Sequence, residues 1–291
     1  MRARLALLIA AAMLTTPAAP ASAARGAAPA AVTNEAVSQI QQAIDEQRLL
    51  DAARMLDAAL LAGARDPRLG LLSGDLSLAR ANYPLALASY RSAQEAPATR
   101  PASLQGQGIA LSLMGRSGEA LAALQAAVRE NPAAWRAWNA LGSEYDHGGL
   151  WTQAEEAYGH AIEASGGAAI ALNNRGYSRL LQHRRTESVA DLVAALQKKP
   201  DFAEARTNLR LALAIGGDYE RAIAGGAPND QAALLNNAGF AAGMRGDYAQ
   251  AEDLLGRAIK MKSEYYARAA ENLKIVRALA ARSNASANAA P

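Results

Sequence analysis

The chain has 291 residues, of which 51% are hydrophobic but only 5% aromatic, and its formal net charge is +3. This balance reflects a heavy use of alanine, which has the highest helix propensity and loses no side-chain entropy in a helix. The absence of cysteine excludes disulfides, thiolate metal sites and a lipid-modified N-terminal cysteine. The basic residues form no stripe along the chain, so we expect no nucleic-acid partner.

Residues 1–23 are predicted to be a secretory signal peptide. Arg2 and Arg4 precede an uncharged apolar run over 5–14, and Ala21-Ser22-Ala23 has the small-residue pattern of a cleavage site. The run is too short to span a bilayer as a helix; an uncleaved membrane anchor is the alternative. Removal of the signal leaves 28 basic and 27 acidic residues, a net charge of +1. We therefore expect an exported mature chain without a transmembrane segment.

The rest of the chain divides into a linker, a helical array and a tail. Residues 24–34 are rich in Ala, Gly and Pro and lack apolar periodicity, which predicts a flexible linker. Helical patterning extends over 35–282, and the small, polar residues 283–291 are predicted to form a disordered tail. Within the array, equivalent residues recur every 34 positions. The clearest series are Gly108, Gly142 and Gly176; Ala120, Ala154 and Ser188; and Ala127, Ala161 and Ala195.

A fixed period of this size predicts an all-α solenoid of stacked helix pairs, in which each pair buries its apolar face against its neighbours. About seven pairs fit the sequence. The pairs at 101–132, 133–166, 167–200 and 231–263 are regular, the first two are degenerate, and the sixth, at 201–227, stops after Ala222. An unpaired helix over 264–282 is predicted to cap the last pair.

Glycines are predicted to have two roles in this array. A glycine inside a helix costs about 1 kcal/mol relative to alanine, so its recurrence at 108, 142, 176 and 239 predicts a close approach of the paired helix. A second set is predicted to end the first helices in the left-handed conformation. These are Gly115, Gly149, Gly217 and Gly246.

The fourth pair carries Trp138, Leu141, Gly142 and Tyr145 on its first helix and Ala154, Tyr158 and Ala161 on its second. This pattern resembles the tetratricopeptide repeat (TPR) family, and the resemblance covers about residues 35–282. The fifth pair departs from it, with Arg179 where a large apolar residue is usual, His183 where glycine is usual and Ser188 where alanine is usual. Leu180 and Leu181 are the expected replacements for the missing apolar contact.

The resemblance also implies a binding groove. Asn174, Asn208 and Asn237 occupy one equivalent position, and Asn272 has a similar setting; in TPR proteins this position faces the concave groove. Because an amide side chain both donates and accepts hydrogen bonds, the resemblance implies a ladder that binds the backbone of an extended peptide. Solvated groove residues or helix-terminal hydrogen bonds are the alternative. The neighbouring asparagines Asn139, Asn173 and Asn236 complete the candidate set.

Tyr177 and Phe240 follow the asparagine position by three residues and are candidates for contact with a ligand's side chains; core packing is the alternative. TPR domains that bind acidic C-termini carry Lys or Arg four residues before the asparagine position. This chain has Ile170, Glu204 and Ala233 there, so a clamp of that kind is not expected.

The shortened sixth repeat predicts a notch in the array. The step from Ala222 to Ala251 is 29 residues instead of 34, and Gly225-Gly226 and Pro228 prevent continuation of the helix. One hypothesis is that the notch receives an element of a partner. The alternative is a deletion that the stack absorbs.

No catalytic motif is found in the sequence. His147, His160 and His183 lack the spacing of metal ligands, and neither a zinc-protease motif nor a nucleophile elbow occurs. We therefore predict a scaffold that is not an enzyme and that needs no cofactor and no metal.

A narrower resemblance concerns the seventh repeat and its surroundings. The segments 207–209, 235–239 and 245–248 resemble TadD-type assembly proteins of the tight-adherence (Flp) pilus system. That resemblance implies a periplasmic protein with partners such as the secretin, associated with the outer membrane through them, although the missing cysteine leaves no residue for a lipid anchor. The alternatives are another periplasmic TPR adaptor in envelope or cell-wall assembly, or a non-catalytic support subunit of an envelope enzyme complex.

Overall fold

The computed structural model describes residues 32–261 and 266–288, and every regular element in these ranges is a helix. The first eight helices are α1 (Asn34–Asp45), α2 (Leu49–Leu61), α3 (Pro67–Ala79), α4 (Tyr83–Ala93), α5 (Arg100–Leu113), α6 (Ser117–Glu130), α7 (Trp135–His147) and α8 (Trp151–Ser165). The others are α9 (Ala169–Leu181), α10 (Arg185–Lys198), α11 (Ala203–Gly216), α12 (Tyr219–Ile223), α13 (Gln231–Arg245), α14 (Tyr248–Met261) and α15 (Ala267–Asn288).

The helices pack as seven consecutive pairs, from α1 with α2 to α13 with α14, and α15 packs on both members of the last pair. Each second helix also contacts the first helix of the next pair. The buried apolar side chains form a row of small clusters, each shared by neighbouring helices, as expected for units that cannot bury their apolar faces alone. The predicted all-α, TPR-like solenoid with a C-terminal capping helix is confirmed.

The ends of the array differ in part from the expectation. The predicted signal peptide, and residues 24–31 of the predicted linker, lie outside the described residues. Helix α1 begins at Asn34, where the Thr33 hydroxyl oxygen accepts a hydrogen bond of 3.1 Å from the Ala36 N–H. Helix α15 continues to Asn288, so residues 283–288, predicted to be disordered, are helical. No glycine or proline interrupts the helix in this segment. None of the described helices is long and apolar enough to cross a membrane.

The recurring glycines inside the helices permit close approach of the paired helix, as predicted. A Cβ added to Gly108 would lie 2.5 Å from Leu124 Cγ on the paired helix. The same conflict recurs in three other pairs, at distances of 2.7, 2.9 and 2.8 Å, for Gly142 against Tyr158, Gly176 against Leu192 and Gly239 against Leu255. Side chains at these positions would therefore force the paired helices apart.

The first helix of every pair is followed by a residue in the left-handed conformation. Four of these residues are the predicted glycines, with φ of 72°, 68°, 87° and 88° at Gly115, Gly149, Gly217 and Gly246. The other three are Gln47, Ala81 and His183, with φ of 59°, 56° and 61°. The two degenerate pairs and the fifth pair thus keep the same helix end without the residue that best tolerates it.

We expect the substitutions Ala81→Gly and His183→Gly to stabilise the protein. A residue with a Cβ in the left-handed region costs about 1–2 kcal/mol, whereas glycine adds about 0.5–1 kcal/mol of unfolded-state entropy. Each variant should therefore raise the free energy of unfolding in urea by about 0.5–1 kcal/mol. Gly115→Ala is the matched control and should lower it by a similar amount. A loss of stability in both glycine variants would contradict this account.

Arg179, which departs from the TPR pattern, takes part in a cluster of ion pairs between α8, α9 and α10. Its Nη1 lies 2.8 Å from Asp191 Oδ2, and its guanidinium also pairs with Glu155. Arg175 makes a bidentate pair with the same Asp191, at 2.8 Å for both hydrogen bonds. Leu180 is buried as expected, but Leu181 is exposed and does not replace the missing apolar contact. The fifth repeat therefore uses charge pairing where the other pairs use apolar packing.

Candidate binding groove

The odd-numbered helices form one continuous face of the array. Each contacts the next, from α1 with α3 to α13 with α15, and we call this surface the first-helix face. Seven of the nine sequence-predicted site residues are asparagines, and they lie on α7, α9, α11, α13 and α15. The structure thus brings the predicted set to one surface, although the asparagines serve different purposes there.

Four asparagines form a hydrogen-bonded chain across α7, α9 and α11. Asn208 Nδ2 donates to Asn173 Oδ1 at 2.9 Å, and Asn173 Nδ2 donates to Asn174 Oδ1 at 3.0 Å. Asn174 Nδ2 then donates to Asn139 Oδ1 at 3.0 Å. We call such a chain an amide relay. Because each link joins neighbouring repeats or neighbouring residues, the relay holds the amides of three helices in fixed orientations.

A second amide relay joins α15 to α13. Asn272 Nδ2 donates to Asn236 Oδ1 at 2.9 Å, and Asn236 Nδ2 donates to Asn237 Oδ1 at 3.2 Å. The two relays follow one rule. The ladder asparagine of a repeat donates to the residue just before the equivalent position of the preceding repeat: Asn174 to Asn139, Asn208 to Asn173 and Asn272 to Asn236. Asn236 and its counterpart Asn173 are buried. These two candidate residues therefore connect and orient their neighbours and present little surface to a ligand.

The rule fails only once along the relays, between α11 and α13. There Asn237 should donate to residue 207, which is a threonine, and the Thr207 hydroxyl instead donates to the Ala203 carbonyl at 2.9 Å. Asn237 Nδ2 has no hydrogen-bond acceptor within residues 32–261 and 266–288. The interruption lies at the shortened repeat, and it leaves a free amide N–H group on α13.

Each asparagine of the predicted ladder is followed, three residues later, by an exposed apolar side chain. These side chains are Tyr177, Leu211, Phe240 and Ile275, with exposed fractions of 41%, 42%, 38% and 41%. The core-packing alternative for Tyr177 and Phe240 is therefore wrong. Sequence reasoning missed Leu211 and Ile275, although the same offset from Asn208 and Asn272 was visible in the sequence. Together the four pairs place polar and apolar groups side by side along the first-helix face.

Two clefts lie beside the asparagine series on this face. The α9–α11 cleft has a volume of about 460 Å³ and is lined by Asn174, Tyr177, Thr207 and Asn208, among others. The α11–α13 cleft is larger, about 790 Å³, and its lining includes Leu211, Asn237 and Phe240. Thr207 lines both clefts, so that they adjoin at the interruption of the relays.

The larger cleft lies where helix α12 is short. Helix α12 has only five residues, 219–223, and its Ala222 is part of the lining of this cleft, which therefore lies at the place of the predicted notch. The carbonyl groups at its end are bonded by side chains: Arg210 Nη2 donates to the Ala224 carbonyl at 3.1 Å, and Gln231 Nε2 to that of Ile223 at 3.4 Å. Arg210 is half-buried, and no carboxylate of the described residues pairs with it.

The histidines lie in unrelated settings. His160 packs against the Trp138 ring at a centroid distance of 4.5 Å, and His147 Nδ1 lies 3.8 Å from Glu144 Oε1. His183 has the left-handed backbone described above. In the part of the chain that the structure describes, no group of three or more His, Asp or Glu side chains could hold a metal ion. The first-helix face presents amide and apolar side chains next to one another.

Comparison with known proteins identifies the fold but no close relative. No family model matches the chain, and no curated protein matches it. Among solved structures, a tetratricopeptide repeat protein from Parabacteroides merdae is 18% identical, with a TM-score of 0.50, and the match covers 84% of this chain and 98% of that one.

Two other structures superpose better. The C-terminal part of a TPR repeat-containing protein from Cytophaga hutchinsonii is 16% identical, with a TM-score of 0.56, and the match covers 81% of this chain and 99% of that one. A TPR protein from Thermus thermophilus is 18% identical, with the same TM-score, and the match covers 62% of this chain and 97% of that one. At these identities the likeness concerns the fold alone. The chain has the fold of the tetratricopeptide repeat proteins.

Proposed function

We propose that the first-helix face of α9, α11, α13 and α15 binds an extended segment of another protein. The observation that carries this proposal is the fourfold repetition of an asparagine followed, three residues later, by an exposed apolar side chain. An extended chain presents backbone amides and side chains in a regular alternation. A surface that alternates amides with apolar groups is complementary to it.

The amide relays leave hydrogen-bonding capacity for such a ligand. A carboxamide has two N–H donors and two lone pairs on its oxygen, and each relay member uses at most one N–H and one lone pair for its neighbours. The remaining N–H and lone pair can pair with a peptide group without selecting its sequence. Because the relay already fixes the amide orientations, less side-chain entropy is lost on binding than for free side chains.

A relay that served only to hold the helices together would not need the exposed apolar series beside it. Exposed aromatic and long aliphatic side chains in one contiguous patch are a common mark of interaction sites. Tyr177, Leu211, Phe240 and Ile275 recur at the same position on neighbouring helices that contact one another. This second series supports a binding surface in preference to a purely structural asparagine array.

The cellular setting that we propose follows from the sequence. The N-terminal pattern of residues 1–23 supports export, and the resemblance to TadD-type proteins supports a periplasmic role in assembling a tight-adherence pilus, with the secretin or a neighbouring component as partner. A periplasmic adaptor in envelope or cell-wall assembly is the second candidate, since the same surface would serve it. N-terminal sequencing of the exported chain, and co-purification with the secretin, would test this setting separately from peptide binding.

Site-specific photo-crosslinking tests the binding surface. With a photo-crosslinking amino acid at position 211 or 240 of the full chain in its own cells, we expect crosslinked protein adducts. At position 61 on α2, where the exposed Leu61 lies away from this surface, we expect none. Changing Asn174, Asn208 and Asn237 together to Ala should reduce the adducts at least about tenfold, since a few central residues supply most binding energy. Equal adducts at positions 61, 211 and 240 would overturn the proposal.

A further inference from the structure

We infer that the α11–α13 cleft selects, within the bound segment, a bulky apolar side chain that is adjacent to a carboxylate. This inference rests on the proposed function of the first-helix face and specifies the chemistry of its ligand. Three features of the cleft, as formed by the described residues, carry it: an apolar compartment, a cation without a carboxylate partner and an amide N–H group without an acceptor.

The apolar compartment is formed by side chains on both walls of the cleft. Leu211 lies on α11, Phe240 and Met244 lie on α13, and all three are exposed. The volume of about 790 Å³ is within the range of about 300–1,000 Å³ that is usual for ligand pockets. It would hold an aromatic or long aliphatic side chain together with its backbone. Burial of such a side chain against these walls would be the main apolar contribution to binding.

The cation is Arg210 on α11. Arg210 lines the cleft and is half-buried as a residue, and among the described residues its guanidinium donates only to a neutral carbonyl, that of Ala224. The other arginine of the lining, Arg245, already pairs with Asp247 at 3.0 Å. The acidic residue of the lining, Asp230, forms no ion pair with Arg210 in the described part of the chain. A guanidinium beside apolar surface is best matched by a carboxylate, which it can bind with two hydrogen bonds.

The free donor is Asn237, whose Nδ2 is left without an acceptor by Thr207. A backbone carbonyl of the bound segment would accept this hydrogen bond in the place of the missing asparagine. The segment would thereby continue the interrupted amide relay from α13 towards α11. With its backbone at Asn237, its apolar side chain would enter the compartment, and a neighbouring Asp or Glu would pair with Arg210.

The experiment selects ligands without assuming their sequence. A displayed library of random dodecapeptides is selected on the immobilised full chain, and enriched peptides are synthesised with a fluorescent label for anisotropy measurements. We expect enrichment of Phe, Leu, Ile or Met within two residues of Asp or Glu. Phe240→Ser and Leu211→Ser should each weaken binding at least about tenfold, whereas Leu61→Ser on α2 should leave it unchanged.

A charge exchange distinguishes recognition by Arg210 from a structural role. Arg210→Glu should weaken binding at least about tenfold, and exchange of the acidic residue of the peptide for Lys should restore binding to this variant but not to the wild type. Circular dichroism and thermal unfolding identify variants that fail to fold. Peptides that bind equally to Arg210→Glu, or that lack the acidic–apolar pair, would overturn this inference and leave the proposed function intact. If no peptide is enriched, the proposed function fails as well.

Discussion

Asp191→Ala is expected to destabilise the protein by about 3 kcal/mol, because it leaves the largely buried Arg175 without its carboxylate and removes one of the carboxylates that pair with Arg179. Asp191 accepts a bidentate pair from Arg175 and a further hydrogen bond of 2.8 Å from Arg179. The hydrogen bond to Asp191 is also the main reason that the pKa of Arg175 is raised. Because a guanidinium is not deprotonated in proteins, loss of a proton does not relieve this cost. Urea unfolding followed by circular dichroism measures the change.

Two variants make this expectation specific. Glu187, at the exposed end of the same cluster, pairs with Arg184 at 2.6 Å. Glu187→Ala should lower the free energy of unfolding by less than about 1 kcal/mol, as is usual for surface pairs. Asp191→Asn keeps an acceptor of the same shape without the charge and should lie between the two. If the free energies of unfolding of Asp191→Ala and Glu187→Ala differed by less than about 1 kcal/mol, the cluster would not hold the fifth repeat together in the way described.

Gly108→Val is expected to have the second largest effect, a loss of about 3 kcal/mol in the free energy of unfolding, because it overpacks the contact between α5 and α6. The added Cβ would lie 2.5 Å from Leu124 Cγ and 3.2 Å from the Leu124 backbone nitrogen. Leu124 is fully buried and cannot turn away, so the helices themselves must separate. Gly108→Ala should cost less, because the higher helix propensity of alanine offsets about 1 kcal/mol of the strain.

The matched control is a glycine inside a helix that faces open space. Gly159 lies in the middle of α8, and a Cβ there would meet no atom within 4 Å. Gly159→Ala should therefore stabilise the protein by up to about 1 kcal/mol through helix propensity alone. If Gly108→Val were as stable as the wild type, close approach of the paired helices would not be the reason for glycine at 108.

Much of the fold was predictable because neighbouring repeats make the same contacts. The helix pairs, the four left-handed glycines after first helices and the close approach at Gly108 all follow from residue types that recur at a fixed spacing. The fifth repeat was less predictable. There Arg179 breaks the pattern, and its partners Glu155 and Asp191 lie on two other helices, where no local spacing identifies them.

The candidate site was predictable to a similar extent. The asparagine series and its apolar neighbours follow the period, and even Leu211 and Ile275 could have been found from their offset to Asn208 and Asn272. The burial of the individual asparagines was not predictable, because Asn173 and Asn174 are adjacent in sequence but only Asn173 is buried. The direction of the amide relays and their interruption at Thr207 depend on which side chains face one another across helices.

By itself, the sequence determined the architecture of this protein, because in a stacked array each unit contacts only its neighbours and the same contacts are repeated along the chain. It also determined where the array shortens, since the step from Ala222 to Ala251 is visible without a structure. Only the tertiary structure decided what lies beside that shortening: an open cleft in which, among the described residues, Arg210 has no carboxylate partner and the Asn237 N–H group has no acceptor. These features arise from side chains brought together by helix packing, and their positions depend on how the stack accommodates the missing turns of α12.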